Sequence, residues 1–299
     1  MEKYIQQLQF LNIDFENLTR QEITNILETE FSFYRLLKSS IIFDKYKVGA
    51  NKGKFVRLKF SDLYAMAKLD FEFSQLLMPI CLQIEQSIKT MLIYYVNETY
   101  EIKNFFLEYY NNDKDHIDKF YTKDNLQILK WNNKFEDIKS MHLEDFLEIV
   151  QFGTLERMVH YFCKKSNNNN RLSEIETELY SVRRIRNIVA HGTSLISLIH
   201  LSNEYKNLKL LTLLGKNGIK NKTLTNNLSK FIVNDICNLL YVYFKIVNCA
   251  SIEAFSDFDC NCCHKVLQLI NSNTLLNSVY LFFKSSLRIF EKIKKTLDK

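Results

Sequence analysis

The chain has 299 residues, of which 46% are hydrophobic and 25% charged, enough to bury a core and keep a solvated surface. Six glycines and one proline provide little punctuation, which excludes a loop-rich or low-complexity chain and favours helices. A net charge of +6 suits an anionic partner such as RNA without requiring one.

The seven cysteines (81, 163, 237, 249, 260, 262 and 263) are odd in number and irregular in spacing, so no disulfide ladder is expected and a reducing compartment is. The opening "MEKYIQQLQFLNIDFENLTR" lacks the apolar core of a signal segment. No uninterrupted apolar run approaches the roughly 18 residues of a membrane span. The expected setting is therefore the cytoplasm, with no membrane partner.

An amphipathic helix is expected from about Thr19 to Leu37. A loop or short hairpin follows in "FDKYKVGANKGKF", which holds two of the six glycines. Ser61 is placed as the cap of a long helix, "SDLYAMAKLDFEFSQLLMPICLQIEQSIKTMLIYYVNETY", which Pro79 should kink or split. Shorter helices are expected over 102–164. "CKKSNNNNRL" is read as a polar break and a mobile loop. The stretch 202–227 is a second weak region, with turns at Gly215 and Gly218. Two more helices are expected near 228–249 and 274–296. Together these give one domain over 1–249 and a C-terminal helical extension over 250–299, packed on the same core.

The helix that ends "SVRRIRNIVAHGT" carries the strongest chemical signal. Ser173 and Glu176 have capping-box spacing, which places the helix start at Ser173. Gly192 stands where a C′ glycine ends a helix. Ile175, Leu179, Val182 and Val189 fall on one line at about 100° per residue, and Arg186 lies about 20° from it. A guanidinium on that stripe must pair with a buried acid, reach an anion or line a cleft. Asn187 and His191 share a face, while Arg186 and His191 are about 140° apart and would flank a groove. Alternatively, Arg186 pairs with a carboxylate and His191 only complements the helix dipole.

The spacing in "RNIVAH" resembles the Arg/His signature of HEPN domains, all-helical modules of prokaryotic RNases and toxins. The segments "YRLLKSS" and "KFVRLKFSDLYAMAKLDFEFSQLLMPICLQIEQSIKTML" resemble the Abi-like family of bacterial abortive-infection proteins, of the AbiD/AbiF type. The likeness spans roughly residues 30 to 200. It implies an all-α, HEPN-like helical bundle with N- and C-terminal helical extensions.

The resemblance also implies a function: a metal-independent endoribonuclease toxin of an anti-phage, toxin–antitoxin system. The 2′-OH of RNA is an internal nucleophile, so the reaction needs a group that titrates near neutrality and a fixed positive charge on the phosphorus oxygens. His191 and Arg186 supply these, and Asn187 orients the imidazole or donates to phosphate. One motif provides one histidine, so a homodimer with a composite site is expected. No cofactor is expected, and RNA enters as substrate and as a non-coding RNA antitoxin.

Arg183 and Arg184 are assigned to solvent or phosphate. Lys45, Lys47, Lys52, Lys54 and Arg57 form either an RNA-contacting loop or a solvated one. Glu85 and Lys89 form an i,i+4 pair, or Glu85 holds Arg186 instead. "CNCCH", Cys260 to His264, lacks a second ligand pair and is read as thiols on a helix start, without metal. A non-catalytic RNA-binding protein using the same Arg/His site stays open. A HEPN partner of a nucleotidyltransferase fits less well, because that group carries a tyrosine where this chain has Thr193.

Overall fold

The first helix, α1 (Glu2–Phe10), buries Ile5 and Leu8 and leads into a two-residue strand, β1 (Ile13–Asp14). A computed structural model describes residues 1–16, 18–99, 102–120, 141–166, 170–198, 212 and 231–247. β1 pairs in parallel with β2 (Leu58–Lys59), matching Ile13 to Leu58 and Asp14 to Lys59. This pairing clips the N-terminal helix to the start of the long helix. α1 fits the expected N-terminal helical extension, but the clip is not legible in the sequence pattern, because two residues per strand are too short to show a period.

The helix expected over 19–37 is two helices. Thr19 caps α2 (Arg20–Asn25) through a full capping box with Glu22, and the chain widens into a π turn at Ile26–Glu30. Phe31 is extended (φ −135°, ψ 117°), which ends the run. Ser32 then caps α3 (Phe33–Ser39), accepting the Arg35 N–H at 3.4 Å. A serine able to accept from the backbone outcompetes helix continuation at this point.

The hairpin is present. Tyr46 and Lys54 share a backbone bond of 2.9 Å, Gly53 donates to Tyr46 O at 2.9 Å, and Lys45 bridges Phe55 in antiparallel fashion. Gly49 and Gly53 have φ of +81° and +85°, a region open to glycine at little cost.

α4 (Phe60–Thr99) is a single helix of 40 residues. Pro79 neither ends nor splits it. One missing N–H bond is outweighed by a buried stripe on both sides of the proline, including Phe73, Leu77, Ile84, Ile88 and Leu92. The helix begins one residue before the expected cap, and Ser61 Oγ donates to Glu16 at 2.6 Å. Part of α4 has a mean hydropathy of 1.2, enough by length and composition to cross a membrane. The helix packs against the motif helix and the last described helix.

α5 (Ile102–Asn112), α6 (Lys114–Phe120), α7 (Leu143–Ile149) and α8 (Phe152–Ser166) follow. α9 (Arg171–Ile175) is capped by Asn170, not Ser173, in a reciprocal Asn170–Ser173 box. A 3₁₀ turn over Glu176–Glu178 separates α9 from α10 (Leu179–Ala190). α11 (Leu195–Leu198) and α12 (Phe231–Ile246) complete the described elements.

The fold is all-α. α10 is sandwiched between α4, α8 and α12. Most of the stretch 202–227, the helix expected over 274–296, the extension 250–299 and "CNCCH" lie outside the described residues.

Candidate functional site

A 3₁₀ turn precedes Leu179, so Ile175 lies outside the motif helix. From Leu179 onward the buried positions are Leu179, Ser181, Val182, Ile185 and Val189. Arg186 is therefore at the edge of the buried face and is half-buried, not central to the stripe. Its Nε is enclosed and has no hydrogen-bond partner among the described residues, and its Nη1 reaches Asn187 Oδ1 only at 3.5 Å. The guanidinium faces α4, close enough to Cys81 for its charge to act on that thiol. Burial dominates there and pushes the Cys81 thiol up to about 12.

Glu85 also acts on Cys81, but it does not hold Arg186. Its carboxylate pairs with Lys89 at 3.2 Å along α4, and its second oxygen is enclosed without a partner. Of the two sequence alternatives, the i,i+4 pair is the one formed.

Asn187 and His191 are exposed. His191 is the C-cap of α10 (φ −89°, ψ 4°). Gly192 N–H donates to Val189 O at 3.1 Å and Thr193 N–H to Ile188 O at 3.0 Å, a Schellman ending with Gly192 at φ +58°. The expected helix end is confirmed to the residue. The motif thus delivers an open imidazole at a sharply stopped helix end, with a half-enclosed guanidinium one turn back.

Arg184 is not a free phosphate contact. Its Nε and Nη2 fork onto Asp235 of α12, the latter bond at 2.6 Å, and Asp235 is fully buried. Burial raises the Asp235 pKa, and the Arg184 hydrogen bonds counter it. The same guanidinium lies over the Tyr180 and Phe231 rings. Nearby, Asn238 Nδ2 donates to Ser181 Oγ at 2.9 Å. These contacts clamp α10 to α12 and fix the rotation of the motif.

Arg183 is also engaged. It pairs with Glu156 at 3.0 Å and lies over Tyr180. It sits beside a cleft of about 660 Å³ lined by residues that include Tyr109, Arg157, His160, Tyr161, Lys164 and Tyr180. Arg186, Asn187 and His191 do not line that cleft. Its charges are largely paired within its walls, as Arg157 with Asp113 and His160 with Glu176.

In the hairpin, Lys45, Lys47, Lys52 and Arg57 are exposed and Lys54 is half-buried. Lys45 lies over the Phe55 ring and Lys54 over Phe10, so these two ammonium groups also serve packing.

Two residues near the motif escaped sequence reasoning. Asp70, 6% exposed, reaches across from α4 to accept the Ile196 N–H at 2.9 Å. It ties down the segment after His191. Ser197 Oγ extends the tie to α3 by donating to Lys38 O at 2.9 Å. The second residue is Arg35 of α3, whose guanidinium carbon lies 3.7 Å from where a Cβ on Gly192 would stand. Asp70 falls on the apolar stripe of α4, so the same rule that singled out Arg186 could have found it. Arg35 leaves no such trace, because its partner is a glycine backbone.

One family model, described as Abi-like protein, matches residues 25–197, which is more than half of the chain. That span runs from the end of α2 through α11 and contains every residue of the motif. No curated protein and no solved structure matches the chain.

Proposed function

This chain belongs to the Abi-like family of abortive-infection proteins, and from that premise we propose that it is a HEPN-type endoribonuclease of the AbiD/AbiF kind. It acts in the cytoplasm as a growth-arresting toxin of an anti-phage system. His191 is the base or acid on the ribose 2′-OH and the leaving 5′-oxygen. Arg186 steadies the negative charge that builds on the phosphorane, and Asn187 orients the imidazole or donates to phosphate. The reaction uses the substrate's own hydroxyl and calls for no metal.

The observation that carries this reading is the contrast among the arginines of α10. Arg183 and Arg184 each have a carboxylate partner, whereas Arg186, nearest in sequence to the exposed His191, has none among the described residues. A half-buried cation left without an acid is costly unless an anion arrives. Two such motifs across a two-fold axis would supply a base, an acid and two guanidinium groups, so the working form is a homodimer with a composite site. A structured non-coding RNA seated on the same groups would restrain the toxin.

The test compares the wild type with His191→Ala in growth and in RNA integrity, with chelator present. Growth arrest, and products ending in 2′,3′-cyclic phosphate that appear despite chelator and vanish in the variant, are expected. Loss of cleavage on chelation, or undiminished cleavage by the variant, overturns the mechanism. RNA binding without cleavage would leave a non-catalytic RNA-binding protein in its place.

A further inference from the structure

The segment that follows His191 is tied at two points, to α4 through Asp70 and to α3 through Lys38 O. These ties bring the first turn of α3 against the end of the motif helix. Arg35 occupies that turn, with its guanidinium carbon 3.7 Å and its Nη1 and Nη2 3.9 Å from the position of a Cβ on Gly192. A Cβ there would meet it at ordinary contact distance.

The guanidinium is held in a corner between two aromatic rings set 84° to each other. Its carbon lies 4.7 Å from the Phe71 ring centre and 5.5 Å from that of Phe31. The rings attract the cation but accept no conventional hydrogen bond, so they leave its N–H donors unused. Those donors have no carboxylate within ion-pair distance among the described residues. The acid that senses the Arg35 charge is Asp70, and it is already committed to the Ile196 amide. By contrast Arg20, Arg157, Arg183 and Arg184 each have an acid partner. A planar, pre-oriented fork of donors without an acid suits a phosphate oxygen pair.

We propose that Arg35 is an anion subsite beside His191, where it takes a backbone phosphate of the bound RNA strand and holds the strand in register with the imidazole. This assignment rests on the ribonuclease reading above. Arg35 is a positioning residue: it grips the substrate away from the reacting atoms, so its loss weakens binding before it slows chemistry.

The experiment uses the full-length protein and a single-stranded RNA that the wild type cuts. Arg35→Gln removes the charge, and Arg35→Lys keeps it without the planar fork of donors. For Arg35→Gln, KM should rise roughly tenfold, kcat should change by less than about twofold, and the slope of log affinity against log salt should shrink by about 0.7. Arg35→Lys should keep the wild-type salt slope. Thermal melting of all three proteins runs alongside.

If Arg35→Gln melts earlier and loses kcat with KM and salt slope unmoved, the residue only packs on Phe31 and Phe71 and the subsite is refuted. If Arg35→Gln fails to fold, Arg35→Lys decides: a salt slope reduced as if the contact were gone is the overturning result. A wild type that neither binds nor cuts RNA refutes the ribonuclease reading itself, and the subsite with it. A wild type that cuts while Arg35→Gln matches it in KM and salt slope refutes the subsite alone.

Discussion

Arg184 of the motif helix and Asp235 of α12 form a two-pronged ion pair whose acid is fully buried. The pair sits in the seam between the two helices and sets how α10 presents its last turn. Removing one partner strands the other. Arg184→Ala should lower stability by about 3 kcal/mol, because it leaves a buried carboxylate uncompensated. Replacing both at once with apolar residues of similar size, Arg184→Met with Asp235→Leu, should recover most of that loss. Urea unfolding of the two variants checks it: a double variant no better than the single one would show that the pair does not act as a unit.

Asp70 makes stability depend on pH in a definite direction. Burial raises its pKa from the ordinary 3.8 to about 6, against smaller lowering contributions from Ile196, Ser194, Leu195 and Arg35. The folded state therefore binds the proton more tightly than the unfolded chain. The stabilisation is complete below pH 4 and is lost as pH rises through 6, a contribution of about 3 kcal/mol. Subtracting the stability curve of Asp70→Asn from that of the wild type should isolate this slope between pH 4 and 6. A flat difference would remove Asp70 as its source.

How much of this was legible beforehand depends on the range of each interaction. The C-terminal end of the motif helix was read to the residue, since a Schellman ending is built from neighbours and a glycine at φ +58° announces itself. The start lies at Asn170, not at the Ser173 that the capping-box spacing indicates. Asn170 and Ser173 compete for the same capping role, and a 3₁₀ turn at Glu176–Glu178 breaks the helical period that the wheel assumes. Ser181 and Ile185 are buried as well, which turns the centre of the buried face away from Arg186 and leaves it at the edge. The partners of Arg183 and Arg184 lie on α8 and α12, beyond the reach of any local pattern. The all-helical class was readable from the scarcity of glycine and proline, whereas the strand clip between residues 13 and 59 was not.

Gly192 is the backbone hinge between the motif helix and the tied segment. A Cβ there would meet Arg35 only at ordinary contact distance, 3.7 Å, so the cost of a side chain comes from the left-handed backbone. Gly192→Ala should cost about 1 kcal/mol and Gly192→Asn less, because asparagine tolerates that region. Thermal melts of the two variants rank them. Equal loss in both would place the constraint in packing against Arg35, not in φ.

Arg186 and lysine are not equivalent at this position. Lysine keeps the charge but loses the planar fork of donors. On the ribonuclease reading, Arg186→Lys should cut RNA on the order of 10² times more slowly, with binding little changed. Single-turnover cleavage at saturating enzyme measures it. Wild-type rates in that variant would mean that charge alone, without directed donors, suffices.

The basic hairpin is where the competing RNA-contact and solvated-loop readings meet, and the structure divides its cations into two kinds. Lys45 and Lys54 lie over aromatic rings and stabilise the turn, so changing them confounds binding with folding. Lys47, Lys52 and Arg57 are exposed, and no ion pair within the described residues holds them. Neutralising those three together, as Lys47→Gln, Lys52→Gln and Arg57→Gln, should leave the melting temperature near that of the wild type. If each touches one phosphate of a single strand, the salt slope of RNA affinity should fall by about 2 in total. Cleavage at saturating RNA should be unchanged, because none of the three has a role in the proposed chemistry at His191. An unaltered slope would assign the hairpin to solvent and leave the positive charge near His191, on Arg186 and Arg35, to account for RNA binding.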